Sequence, residues 1–242
     1  MRVYYDLPMH SCLSPCGDDD MTPNNIVNMS ILNELSVIAL ADHNTTGNLP
    51  AFLKVAAEHG ITAFPAMELE TAEEIHVLCL FRNLENAQAF DREVVTPALP
   101  PIDNRVDIFG HQQIMNEMDE VIGEEPRYLI NATTISIDAL PALIAPYEGL
   151  AFPAHIDKQT KSMFSVFGTF DRSMGYAAAE LSKNAPADFF EQNPHLKDMF
   201  FLHDSDAHYL QDIFEANGDN FVELPDASAD TFWKFLQKQA EL

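Results

Sequence analysis

The chain has 242 residues with 47% hydrophobic content, enough to bury one sizeable core, and barrels of this length are commonly one domain. Its formal charge of -25, from 38 acidic against 13 basic residues, would repel a nucleic-acid backbone and an anionic membrane surface, so neither a stable nucleic-acid partner nor a membrane is expected. Three cysteines, an odd number in a chain too long to need disulfide staples, and no apolar run near the ~18 residues of a membrane span predict a cytoplasmic protein.

Short apolar runs bounded by polar residues predict buried strands. Val3-Tyr4-Tyr5 is the first and leads into Asp6-Leu7-Pro8-Met9-His10-Ser11. Thr22-Pro23 then reads as the N-cap and first residue of a helix to about Glu34. Val37 to Ala41 is the second strand, ending in Asp42-His43-Asn44. A helix over 51–59 closes at Gly60. Strand three, Ile61 to Met67, exits into Glu68 and Glu70, and Glu74 to Phe81 makes a fourth strand that carries His76.

Residues 83–98 are helical in pattern and are stopped by Pro97, Pro100 and Pro101. The section around 102–149 predicts a mainly helical excursion, with helices over 112–122 and 137–147. Strands resume at Leu150 to Ala154 before His155, at Ala177 to Leu181, and at Met199 to Leu202 before His203-Asp204-Ser205-Asp206-Ala207-His208. Phe221 to Leu224 is a last strand, and Ser228 caps a final amphipathic helix. Strands alternating with helices argue for a mostly parallel sheet or barrel.

The polar residues at strand ends are His10, an acid among Asp18, Asp19 and Asp20, His43, Glu68, His76, His155, Asp206 and His208. Imidazoles and carboxylates are the ligand set for Zn, Mn or Fe, and about eight of them imply two to three divalent ions, with Mg also admissible. A lone histidine is more often a satisfied core residue than a ligand; the ordered set is what argues for metal. His59, His111, His195 and His203 match no such pattern.

Asp6-Leu7-x-x-His10-Ser11, Asp42-His43-Asn44, Glu68 after its strand, Phe152-Pro153-Ala154-His155 and Ser205-Asp206-Ala207-His208 resemble, in order, the motifs of the PHP (polymerase and histidinol phosphatase) family, its small bacterial metal-dependent phosphoesterase branch in particular. The resemblance covers essentially the whole chain. It implies a single PHP domain over 1–242, folded as a distorted (β/α)7 TIM-like barrel with a metal cleft at the strand C-termini. It also implies a first ion on His10, Glu68 and Asp206, a second on Glu68, His76 and His155, and a third on Asp18, His43 and His208. Asp19, Asp20 or Cys16 are the alternatives to Asp18. Lys158 and Arg172 are the candidate phosphate contacts. The family's first motif is His-x-His, but this chain has Pro8-Met9-His10, so the first ion loses a ligand.

The activity implied is hydrolysis of a small phosphate ester (a nucleotide, sugar phosphate or short oligonucleotide) by a metal-bridging hydroxide, without a side-chain nucleophile. The alternatives are a degenerate PHP domain that binds metal without efficient turnover, because of Pro8, and a metal-dependent hydrolase of an amide or lactone.

Overall fold

The protein is described by a computed structural model over residues 1–240. From the N-terminus the elements are β1 (Arg2–Met9), α1 (Pro23–Leu32), β2 (Val37–Leu40), α2 (Leu49–His59), β3 (Thr62–Glu70) and β4 (His76–Phe81). Next come α3 (Leu84–Phe90), a π-helical turn (Asp91–Val95), α4 (Thr96–Ala98), α5 (Val106–Phe109), β5 (Gln113–Met115), β6 (Val121–Glu124) and α6 (Leu140–Ile144). The remainder is β7 (Gly149–Pro153), α7 (Met163–Phe167), β8 (Ala178–Leu181), α8 (Phe189–Gln192), β9 (Phe200–His203), β10 (Phe221–Glu223) and α9 (Ala229–Ala240).

The main sheet has six strands in the order β10-β1-β2-β3-β4-β7 and curls into a half-barrel. β1, β2 and β3 are parallel, whereas β4 runs antiparallel between β3 and β7. β8 and β9 form a parallel pair that is tied to the sheet on both sides. Past β7, Ile156 N donates to Glu180 O at 3.0 Å, and Met9 at the end of β1 bridges Ala207.

Alternation along the strands builds two cores. Val3, Tyr5 and Leu7, Val37 and Ala39, Phe64 and Ala66, and Leu78 and Leu80 share one buried cluster with Phe152, Ala178 and Leu202. Their neighbours Ile38, Leu40, Met67, Leu69, Val77 and Cys79 join the other cluster, beneath the helices. The inner cluster is plugged at the end where β3 begins: α9 contributes Phe232, Trp233 and Leu236, and Thr62 Oγ1 donates to Ala227 O at 2.8 Å. Trp233 stacks on Phe64 with ring centroids 5.8 Å apart.

The local signals hold where the chain caps itself. Thr22 accepts from Asn25 N, Gly60 closes α2 at φ 72, and Ser228 Oγ accepts from Thr231 N. β1 takes three steps from Asp6 to Met9 while β2 takes two from Ile38 to Leu40, a bulge that accommodates Pro8, which has no N–H to pair.

The excursion around 102–149 is not mainly helical. Residues 112–122, read as a helix, form the β5–β6 hairpin. Asn116 Oδ1 accepts from Met118 N and Glu120 N, and Asp119 takes φ 56, which together set the turn. Asn48 Oδ1 then holds Met115 N at 2.8 Å, so side-chain bonds from elsewhere override helical propensity. The helix read over 137–147 shrinks to α6 and a 3-10 turn.

Trp233→Ala is expected to destabilise the protein by about 3–5 kcal/mol, since it empties the plug of a closed core. Chemical denaturation followed by circular dichroism measures this, and a loss below about 1 kcal/mol would show that α9 is not part of the inner core.

Candidate metal centre

The inward-facing rows end in polar residues. Glu68 and Glu70 continue the row of Phe64 and Ala66 on β3, and His76 heads the row of Leu78 and Leu80 on β4. Because β4 is reversed, its first residue lies at the same mouth as the last residues of its neighbours; Glu70 pairs with His76 in register. Past the strand ends, Asn44, His155 and Asp206 take φ of 51, 30 and 52. These left-handed conformations are uncommon outside glycine and collect here at the mouth, as strain often does at functional sites.

Glu68, 2% exposed, is the hub. Its Oε2 lies 3.4 Å from His10 Nε2, 3.3 Å from His43 Nδ1 and 3.3 Å from His76 Nδ1, and its Oε1 lies 3.5 Å from His155 Nε2. His10 Nε2 is also 3.3 Å from Asp206 Oδ1. Three groups bring ligand atoms within 4.8 Å of one another: His10, Glu68 and Asp206; His43, Glu68 and His76; and His10, Cys16, His43 and His208. Bonds of about 2.1 Å at tetrahedral angles give ligand–ligand edges of about 3.4 Å, which matches the separations around Glu68. Of the atoms at these separations, His10 Nε2, His43 Nδ1, Glu68 Oε1 and Asp206 Oδ1 are buried without a hydrogen-bond partner. Orphaned donors at these spacings fit divalent cations.

A supporting layer orients the ligands. Asp42 Oδ1 accepts from Ser11 N at 2.7 Å and Ser14 Oγ at 2.6 Å, and its Oδ2 accepts from Ser11 Oγ at 2.6 Å. Ser14 Oγ, its proton committed to Asp42, accepts from His43 N at 3.1 Å and from His10 Nδ1–H at 3.3 Å, which leaves His10 Nε2 to face Glu68 and Asp206. Below, Asp6 and Asp204 stitch β1 to the segment after β9: Ser205 N and Phe214 N donate to Asp6, and Leu7 N donates to Asp204. Burial pushes the Asp6 carboxyl up to about 6, and burial with neighbouring acids pushes Asp204 and Glu180 well above the ordinary range.

Burial opposes charge on Glu68, but the His76 charge and the close approach of the His10, His155 and His76 rings outweigh it and hold the carboxyl well below its usual value. Burial likewise opposes charge on His10 and His76, yet the carboxylates prevail: Asp206 and Glu68 at close range raise His10 to about 10, and Glu68 with Glu70 raises His76 to about 9. His43, desolvated and beside His10, is pushed well below its usual value and so presents a neutral ring.

His10, His43, Glu68, His76, Asp206 and His208 lie together, but the second and third groups differ from the predicted sets: His43 stands beside Glu68 and His76, and His155 reaches Glu68 but enters none of the three groups. Asp18 does not converge. Its Oδ1 accepts from Asp20 N at 3.0 Å, and Cys16 stands with the histidines instead. Lys158 lines the cleft of about 280 Å3 and donates to Asp206 Oδ2 at 2.5 Å. Arg172 is exposed and does not line it. Asp42, Ser14, Glu70 and Lys161, whose Nζ donates to Glu70 at 2.6 Å, escaped the reading; the Asp42 and Glu70 positions beside predicted ligands were the available signal.

Both raised imidazoles lie above the ordinary value of 6.5, so the stability they contribute is full below about 6.5 and is lost as pH rises through 9 to 10. The metal-free protein is therefore expected to lose stability over that window and to bind cations more tightly across it, because protons on His10 and His76 compete. NMR titration of the imidazoles in chelator-treated protein should find two still protonated at about pH 8; none protonated there would overturn the assignment.

No family model and no curated protein matches the sequence. Solved structures do. The lesion-specific endonuclease PfuEndoQ of Pyrococcus furiosus superposes with a TM-score of 0.69 at 19% identity over 97% of this chain and 55% of its own. An Endonuclease Q complex with a 27-mer duplex substrate, an abasic lesion at its active site, gives 0.67 at 18% identity over 98% of this chain and 57% of that one. This chain thus spans little more than half of those proteins. A protein of Bifidobacterium adolescentis, provisionally assigned as a metal-dependent phosphoesterase, gives 0.61 at 15% identity over 98% of this chain and 96% of its own. The duplex complex overturns the exclusion of nucleic-acid partners drawn from net charge: a protein of this fold takes duplex DNA at its active site. Net charge sums the whole surface, whereas contact is decided by the local field of a cleft and its ions. Fold and ligand order are consistent with the PHP-type phosphoesterase family that the motifs resemble.

Proposed function

We propose that the protein is a metal-dependent phosphoesterase acting on a nucleotide, sugar phosphate or oligonucleotide ester, built on a distorted (β/α)7 barrel as one domain. The observation that carries this reading is the convergence of four imidazoles on the two oxygens of Glu68, with Asp206 completing one triad. Glu68 would bridge two ions, with His10 and Asp206 on one side and His43 and His76 on the other, and His155 in reach of Oε1. Bound divalent cations would supply Lewis acidity, lowering the pKa of water and offsetting phosphoryl charge.

The chain's own groups do the rest. Lys158, at the rim and paired with Asp206, is placed to turn its ammonium to a phosphoryl oxygen. His208, its Nδ1 bonded to the Asp206 carbonyl oxygen at 2.7 Å, keeps a fixed ring at the opening, where it can pass a proton to a leaving oxygen. Three free thiols fit a reducing cytoplasm.

Hydrolysis of an aryl phosphate should vanish on chelation, return with added divalent metal, and fall at least about 100-fold in Glu68→Ala together with bound metal. Full turnover by that variant with its ions retained would remove Glu68 as the bridge. Pro8→His should restore the missing ligand of the first motif, tightening one ion about tenfold and raising turnover. Metal titration and kinetics on the variant decide, and no change in either would mean that the bulge turns residue 8 away from the site.

A further inference from the structure

We infer that a second cavity, beside the metal cleft at the ends of β8 and β9, holds the heterocyclic base of a nucleotide whose phosphate lies in the cleft. The inference deepens the phosphoesterase reading and rests on it for the place of the phosphate, but the cavity itself can be tested without turnover.

The cavity measures about 320 Å3 and is walled by Ser182 and Lys183 after β8, His203 and Asp204 at the end of β9, and the loop over 214–220. A hollow of about 200 Å3 shares Ser182, Lys183 and Asp204 with it, and shares Lys158, Asp206 and His208 with the cleft, so the three adjoin in series. Hydrogen bonds fix the walls. Phe214 N donates to Asp6 Oδ2 at 3.0 Å, Asn220 Nδ2 to Tyr5 O at 3.1 Å, and Ser182 N to Asp157 Oδ1 at 2.7 Å. Such a pocket is formed before a ligand arrives.

Two lining residues keep a buried oxygen unpaired. Asp204 and Asn220 are 1% and 2% exposed, and among the described residues Asp204 Oδ2 and Asn220 Oδ1 have no hydrogen-bond partner. Asn220 Oδ1 needs a donor, whereas a carboxyl oxygen accepts when ionised and donates when neutral. The edge of a nucleobase offers N–H donors beside ring-nitrogen or carbonyl acceptors and can serve both. Half-buried Phe214 lines the same cavity and, among the described residues, joins none of the buried apolar clusters, which leaves its ring available for a base to stack on.

Charge sets the direction. Exposed Glu215 and Asp219 at the cavity would repel a phosphate, while Lys183 and Lys158 line the hollow that leads to the cleft. Asp204 and Asp206 are two residues apart, at most about 7 Å of chain, so a single sugar can link a base at one to a phosphate at the other.

Saturation-transfer NMR on the full chain with adenosine, cytidine, guanosine and uridine, none of which carries a phosphate, reads the cavity directly. For at least one of them the base protons should receive more saturation than the ribose protons, and Phe214→Ala should weaken its binding about tenfold or more. No nucleoside bound, saturation centred on the ribose, or binding unchanged in Phe214→Ala overturns the inference. Should that variant fold poorly, Phe214→Leu keeps most of the volume without the aromatic face and should show the same loss. In kinetics, the 5′-phosphate of the bound nucleoside should exceed ribose 5-phosphate in kcat/KM by about tenfold or more, and equal values overturn the base cavity while leaving the phosphoesterase standing. A nucleoside bound at Phe214 with neither ester hydrolysed supports the cavity and overturns the phosphoesterase reading alone.

Discussion

A single buried carboxylate facing four imidazoles is the constraint on which the mouth of this half-barrel depends. Glu68 sits within 3.3 to 3.5 Å of His10, His43, His76 and His155, which arrive from four different segments. A carboxylate removed from water is costly unless partnered, and without a cation the only partners at hand are protons held on those rings. The raised values of His10 and His76 and the depressed value of Glu68 are two faces of that one exchange. Metal and proton are alternative occupants of the same space.

Strand direction makes the convergence possible. Glu68, Glu70 and His76 belong to one hairpin, and reversal of β4 returns the chain to the mouth within a few residues. Period-two alternation does the aiming: the row that buries Phe64 and Ala66 below ends in carboxylates above. Asp42 then fixes the loop over 11–14 by three short bonds, so that the first ligand is held by hydrogen bonds where Pro8 has taken its strand out of register.

Much of the convergence was legible because the polar residues at strand ends are punctuated by the apolar runs that precede them. His10, His43, Glu68, Asp206 and His208 each follow such a run, and their order carries the family resemblance. Cys16 and Asp18 were not separable, since both lie in a loop whose path depends on contacts with Ser11 and His208 far along the chain. The β5–β6 hairpin was missed for a similar reason: Asn48 and Asn116 set it through side-chain bonds that no periodicity records. The charge of the whole chain misled about nucleic acid, because a sum over the surface says nothing of how the charge is arranged around one cleft.

The aromatic plug supplied by α9 gives the half-barrel a floor. Trp233 and Phe232 pack beneath Phe64 and Tyr5 and fill the inner face at the end away from the candidate ligands. The cleft opens past Lys158 and the candidate ligands, away from this plug. Above a floor packed in this way, a linear polymer would have to offer a terminus, or swing one linkage out of its own stack and into the mouth.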